Sequence, residues 1–126
     1  MSARSRKPLY GIASSLEDLK AMPVPVQKAF RTALRDVQYG ETPEIAKALS
    51  GFGGGGVLEL VEDYDRGTYR GVYTVNFPGA VYVLHAFQKK SRRGIKTPRE
   101  DVELVRSQLR LARAHHERQT IGDDNG

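Results

Sequence analysis

Between Gln88 and Arg99 the basic residues are Lys89, Lys90, Arg92, Arg93, Lys96 and Arg99, with no acid among them. They follow without a break from Tyr82-Val83-Leu84-His85-Ala86-Phe87, a β-branched and aromatic run of the kind that forms a buried strand. A strand that delivers clustered cations at its end is a rigid anchor for a polyanion, and the polyanion favoured is RNA. Each cation displaces counterions when it meets a phosphate, so binding of this kind weakens steeply with salt. The bland reading of Lys89, Lys90, Arg92, Arg93 and Lys96 is a solvated basic loop. Cleaving RNA through its 2′-hydroxyl needs that hydroxyl activated, charge stabilised on the phosphorane, and the leaving 5′-oxygen protonated. Lys and Arg can supply the electrostatic part without a metal.

Two more side chains could join that chemistry. His85 falls in step with Val83 and Phe87. A lone histidine in an apolar strand is either a hydrogen-bonded structural residue or a general acid or base near neutral pH. Arg70 shares a strand face with Val72, Thr74 and Asn76, while Gly71, Tyr73, Val75 and Phe77 form the core-like face. Its planar fork suits a phosphate, and it equally suits a cross-strand salt bridge to Glu59 or Glu62. Tyr64, Tyr69, Tyr73 and Tyr82 offer base-stacking rings or core packing, and Tyr73 is the one assigned to RNA. Adjacent His115 and His116 do not face each other on a helix and are expected to be exposed at its C-terminal end. Nothing in the chain resembles a metal site, and no cofactor is expected.

The elements that must hold these residues read as α+β. Leu9 to Ala13 suits a first strand. Ser14-Ser15-Leu16-Glu17 fits a capping box opening a short helix to about Lys20. Pro23 and Pro25 lead into a longer helix whose Val26, Ala29, Phe30, Ala33, Leu34 and Val37 lie on one face, with Gly40 as a stop. Thr42-Pro43-Glu44 could start another short helix. Gly51 and Gly53 to Gly56 read as a flexible loop or hinge, since the Lys-Ser/Thr ending of a phosphate-binding loop is missing. Strands are expected over 57–62, 69–77 and 81–87, with turn chemistry between them and antiparallel pairing. Thr97-Pro98-Arg99-Glu100 is a helix start, with cap, proline and acid in place. Val102, Val105, Leu109 and Ala112 then give that helix a narrow apolar stripe. The helices would pack on one face of a small antiparallel sheet.

With 126 residues the chain suits one domain. Residues 8–118 are expected to form it, 1–7 a flexible start and 119–126 a disordered tail. Twenty Lys and Arg against fifteen Asp and Glu give a net charge of +5, with the acids Glu59, Glu62, Asp63 and Asp65 grouped mid-chain. The absence of cysteine excludes disulfides and thiolate zinc sites. No apolar stretch approaches bilayer-spanning length and no signal peptide stands out, so a cytoplasmic location is expected.

Gly67-Thr68-Tyr69-Arg70-Gly71-Val72-Tyr73, Val83-Leu84-His85-Ala86-Phe87-Gln88-Lys89-Lys90-Ser91, Ile95-Lys96-Thr97-Pro98 and the run from Leu49 to Leu60 resemble the phage-derived Gp49-like, HigB-type branch of the RelE toxin superfamily. The resemblance spans about Pro8 to Arg113. It implies a RelE-like fold and the toxin half of a type II toxin–antitoxin pair, with a helix-turn-helix antitoxin as partner. It further implies a ribosome-dependent endoribonuclease that cuts mRNA without a metal. Carried over by position, Arg70 would grip the scissile phosphate, and His85, Lys89 and Lys90 would complete the catalytic set. Arg92, Arg93 and Lys96 would bind the RNA backbone. The alternative is a non-catalytic RNA- or protein-binding module on the same scaffold.

Overall fold

The structure, a computed structural model, describes residues 5–53, 56–89 and 97–125, and of 121–125 the backbone alone. The elements run β1 (Leu9–Gly11), α1 (Ser15–Lys20), α2 (Val24–Gln38), β2 (Ala46–Ala48), β3 (Val57–Tyr64), β4 (Gly67–Thr74), β5 (Val81–Lys89) and α3 (Arg99–Asn125). One five-stranded sheet has the order β1-β5-β4-β3-β2. The β2–β3, β3–β4 and β4–β5 pairings are antiparallel, as the short links require. The sheet is mixed, because β1 joins β5 in parallel, with Leu9 opposite Val81.

The α+β arrangement holds, with the two faces covered by different helices. On one face the apolar stripe of α2 packs Val26, Phe30, Ala33, Leu34 and Val37 onto Leu60, Tyr73, Val83 and Ala86, with Leu19 of α1 beside them. The opposite face carries Val57, Val72, Tyr82 and Leu84 against Val105 and Ala112 of α3. A sheet buried on both faces explains why β5 reads as one apolar run rather than an alternating one. The C-terminal helix is therefore a second layer rather than an addition to the first.

Local chemistry departs from expectation in several places. Ser14 does not cap α1 by its side chain; its hydroxyl donates to Asp18 Oδ2 at 2.8 Å. The segment after Thr42 forms a turn and then β2, with no helix. His115 and His116 are half-buried rather than exposed. Tyr82 Oη and His115 Nδ1 lie 2.7 Å apart, and His116 Nε2 lies 2.9 Å from the Pro78 carbonyl. Rings of Tyr10, Phe77 and Tyr82 pack around both, which pins the far half of α3 to β1 and β5. Lys7 is tied to Gln38 through both a backbone and a side-chain hydrogen bond, and α3 continues to Asn125 into the segment expected to be a tail.

The glycine-rich segment ends in a clamp rather than a hinge. Gly56 has φ +88, and a Cβ there would fall 1.7 Å from Asn76 Oδ1. Its carbonyl accepts from the Val75 N–H and the Thr74 hydroxyl. Left-handed backbone costs about 1–2 kcal/mol for a residue with a side chain, and the Asn76 carboxamide would also have to move. Gly56→Ala is expected to lower stability by roughly 2 kcal/mol, read as a drop in the urea midpoint.

Candidate functional site

One irregularity decides which residues meet. Val72 pairs with His85 but Tyr73 pairs with Val83, so Leu84 is an extra residue in β5, a β-bulge. Counting by twos from Val83 would send His85, Phe87 and Lys89 to the α1/α2 side. The bulge resets the alternation and sends them to the α3 side. Phe87 is then opposite Arg70 and Lys89 opposite Thr68. The same face of β3 supplies Glu59, which pairs with Val72. Arg70, His85, Phe87, Lys89 and Glu59 thus occupy one surface of the sheet.

Arg70 and Glu59 form the centre. Arg70 Nη1 donates to Glu59 Oε1 at 2.6 Å, and the two side chains are 2% and 1% exposed. This is the cross-strand pair that the strand spacing allowed, a diagonal one. The other carboxylate oxygen of Glu59 accepts from the Thr97 hydroxyl. Thr97 thereby ties the segment that opens α3 to the sheet. Arg70 Nε is buried and has no partner among the described residues. The guanidinium does not open to solvent, so Arg70 holds fixed positive charge beneath the surface instead of presenting a fork to a phosphate.

Lys89 is 9% exposed. Burial pushes its ammonium below the usual lysine range, and the Arg70 guanidinium pushes the same way, as does Lys47; Glu59 opposes them. A lysine in such surroundings gives up a proton more readily than a solvated one. Lys47, on edge strand β2, was not singled out by sequence, where its segment read as a possible helix. With Glu59, Thr97 and Val102 it lines a cavity of about 340 Å³ between β2 and the start of α3.

His85 is held from two sides. Its Nε2 lies 2.8 Å from Asp101 Oδ1, and its ring stacks on Phe87 at 4.6 Å and 18°. Asp101 sits in the first turn of α3 with its N–H on the Pro98 carbonyl. No sequence periodicity links Asp101 to His85; only the packing of α3 across β5 does.

Tyr73 leaves the set. It is 2% exposed, packed among α2-side residues on the face opposite Arg70, and burial lifts its phenol to about 12. Its ring is core and offers no stacking surface to a base. Lys90, Arg92, Arg93 and Lys96 lie outside the described residues. Among the described residues no cluster of His, Asp or Glu is arranged to hold a metal, and no helix is long and apolar enough to cross a membrane.

The fold and site define a small basic α+β domain with a histidine–lysine–arginine face built on the end of its sheet. The chain belongs to the phage derived protein Gp49-like family, whose profile matches residues 17–110. No curated relative matches it. Among solved structures it is similar to the RelBE2 toxin-antitoxin complex from Mycobacterium tuberculosis, at 17% identity and a TM-score of 0.47, over 72% of this chain and 100% of that one.

Proposed function

We propose that this chain is the toxin of a type II toxin–antitoxin pair and acts as a ribosome-dependent mRNA endoribonuclease. The observation that carries the reading is the bulge at Leu84, which places His85 and Lys89 on the face of Arg70. Three kinds of group needed for 2′-hydroxyl attack then share one surface. His85 takes the 2′-hydroxyl proton as O2′ bonds to phosphorus. Arg70 and Lys89 stabilise charge on the phosphorane. The P–O5′ bond breaks and O5′ takes a proton from the Lys89 ammonium, whose lowered pKa suits a donor. The products are a 2′,3′-cyclic phosphate and a 5′-hydroxyl. Glu59 and Thr97 are positioning residues that keep the Arg70 charge in place.

The partners are the ribosome with its mRNA and a helix-turn-helix antitoxin, in the cytoplasm. Lys90 belongs to the catalytic set, and Arg92, Arg93 and Lys96 to the RNA-contacting set, by the family resemblance and by charge alone.

Burial of Arg70 favours a second reading, in which the Arg70–Glu59 pair is structural and the domain binds RNA or protein without cutting. Primer extension on an mRNA translated in a purified bacterial system separates the two, with wild type, His85→Gln, Lys89→Gln and a ribosome-free arm. Ribosome-dependent cuts reduced about 10²-fold or more in the His85 and Lys89 variants support the nuclease. Uncut message in the presence of folded, ribosome-bound wild type moves the function to binding.

A further inference from the structure

The role of His85 depends on which of its nitrogens carries the proton, and the contact with α3 decides that. A carboxylate can only accept, so the ring nitrogen facing it must carry hydrogen. Nε2 is the nitrogen at 2.8 Å from Asp101 Oδ1. A neutral imidazole has one N–H, which leaves the lone pair on Nδ1. The ring lies flat on Phe87 at 4.6 Å, which fixes its plane and keeps Nε2 on the carboxylate. Nor is Asp101 a wandering surface acid. Its backbone is fixed by the bond to the Pro98 carbonyl, and Thr97, just upstream, is anchored to Glu59.

We propose that Asp101 is the positioning residue of the site, holding His85 as the Nε2–H tautomer so that Nδ1 is the atom that accepts the substrate proton. The catalytic half of this statement rests on the nuclease reading; the tautomer half does not. In the proton step, the 2′-hydroxyl hydrogen moves to Nδ1 while the oxygen's electron pair forms the bond to phosphorus. The imidazolium so formed carries hydrogen on both nitrogens and stays bound to the Asp101 carboxylate. The start of α3 is therefore part of the site through two contacts, Thr97 just before the helix on Glu59 and Asp101 in its first turn on His85.

The test uses the full chain labelled with 15N, at a pH where its imidazoles are neutral, with His85 assigned by the signals lost in His85→Gln. Wild type is expected to show a protonated-type shift at Nε2 and an unprotonated-type shift at Nδ1. Glu100→Gln, an exposed neighbour in the same helical turn, is expected to leave both unchanged. Asp101→Ala is expected to move both toward an averaged or reversed pattern, and to lower kcat about 10²-fold with KM little changed. Asp101→Glu should recover part of that loss. Asp101→Leu, which keeps the bulk of the side chain and can accept no hydrogen bond, provides the folded comparison if the alanine variant is unstable, and should also disturb the pattern. Nδ1–H in wild type, or wild-type shifts in a folded Asp101→Ala or Asp101→Leu variant, overturns the proposal. A wild type with the expected tautomer that leaves mRNA uncut overturns the nuclease reading and the proton-acceptor role together, while the tautomer assignment stands.

Discussion

Arg70→Ala is expected to lose RNA cleavage and roughly 3–5 kcal/mol of stability at once, because it strands the buried Glu59 carboxylate. Arg70 and Glu59 are themselves only 2% and 1% exposed, so the carboxylate left behind lies out of reach of bulk solvent. Loss of activity in this variant alone says little about catalysis. The decisive comparison is the double variant Arg70→Met with Glu59→Leu. Replacing both members of a buried ion pair by apolar groups of similar volume is often neutral or better, so the double variant should regain most of the lost stability in urea titrations. It should remain unable to cut, since the fixed charge is gone. A double variant that cuts like wild type would show that Arg70 serves the fold only. A single alanine variant as stable as wild type would show that the pair is not buried charge in solution.

Deleting Leu84 tests the bulge directly. The deletion makes His85 the immediate neighbour of Val83, so ordinary alternation keeps Val83 on the α2 side and His85, Phe87 and Lys89 on the α3 side, where the bulge had put them. What is lost is the local bend and a leucine side chain that is fully buried, worth about 2–5 kcal/mol. The expected result is a lower urea midpoint with a cooperative transition retained. Leu84→Val, which keeps the count and removes one methylene, should cost only about 1 kcal/mol. A deletion variant without a cooperative transition would mean that the bend at the bulge, and not alternation alone, holds the second half of β5.

Much of this architecture could be read from local pattern. The α2 stripe from Val26 to Val37, the strands around 57–62 and 81–87, and the start of α3 at Thr97-Pro98 all follow from periodicity and turn chemistry, and all are present. What eluded the sequence has physical causes. A bulge leaves no signature when the residues around it are all apolar, so the face of His85 could not be read from Val81 to Phe87. Strand β2 is three residues of Ala-Lys-Ala, held by pairing to β3 and not by its own propensity. Arg70 was legible as either a phosphate ligand or a salt-bridge partner, and the burial that separates these is a tertiary property. Tyr73 lay on the strand face read as core, and burial there outweighed its stacking chemistry. The tie between Asp101 and His85 joins two elements whose relative placement no local rule supplies.

The parallel pairing of β1 with β5 sets when this molecule can exist. Leu9 meets Val81, and Tyr10 meets both Tyr82 and His115. The first strand made is thus the one that waits longest for its neighbours, and long-range closure of this kind is slow to form. On a ribosome, the sheet edge waits for residue 83, the Thr97 contact of the Arg70–Glu59 pair for residue 97, and the His85–Asp101 contact for residue 101. A growing chain therefore carries the residues of the site without the site.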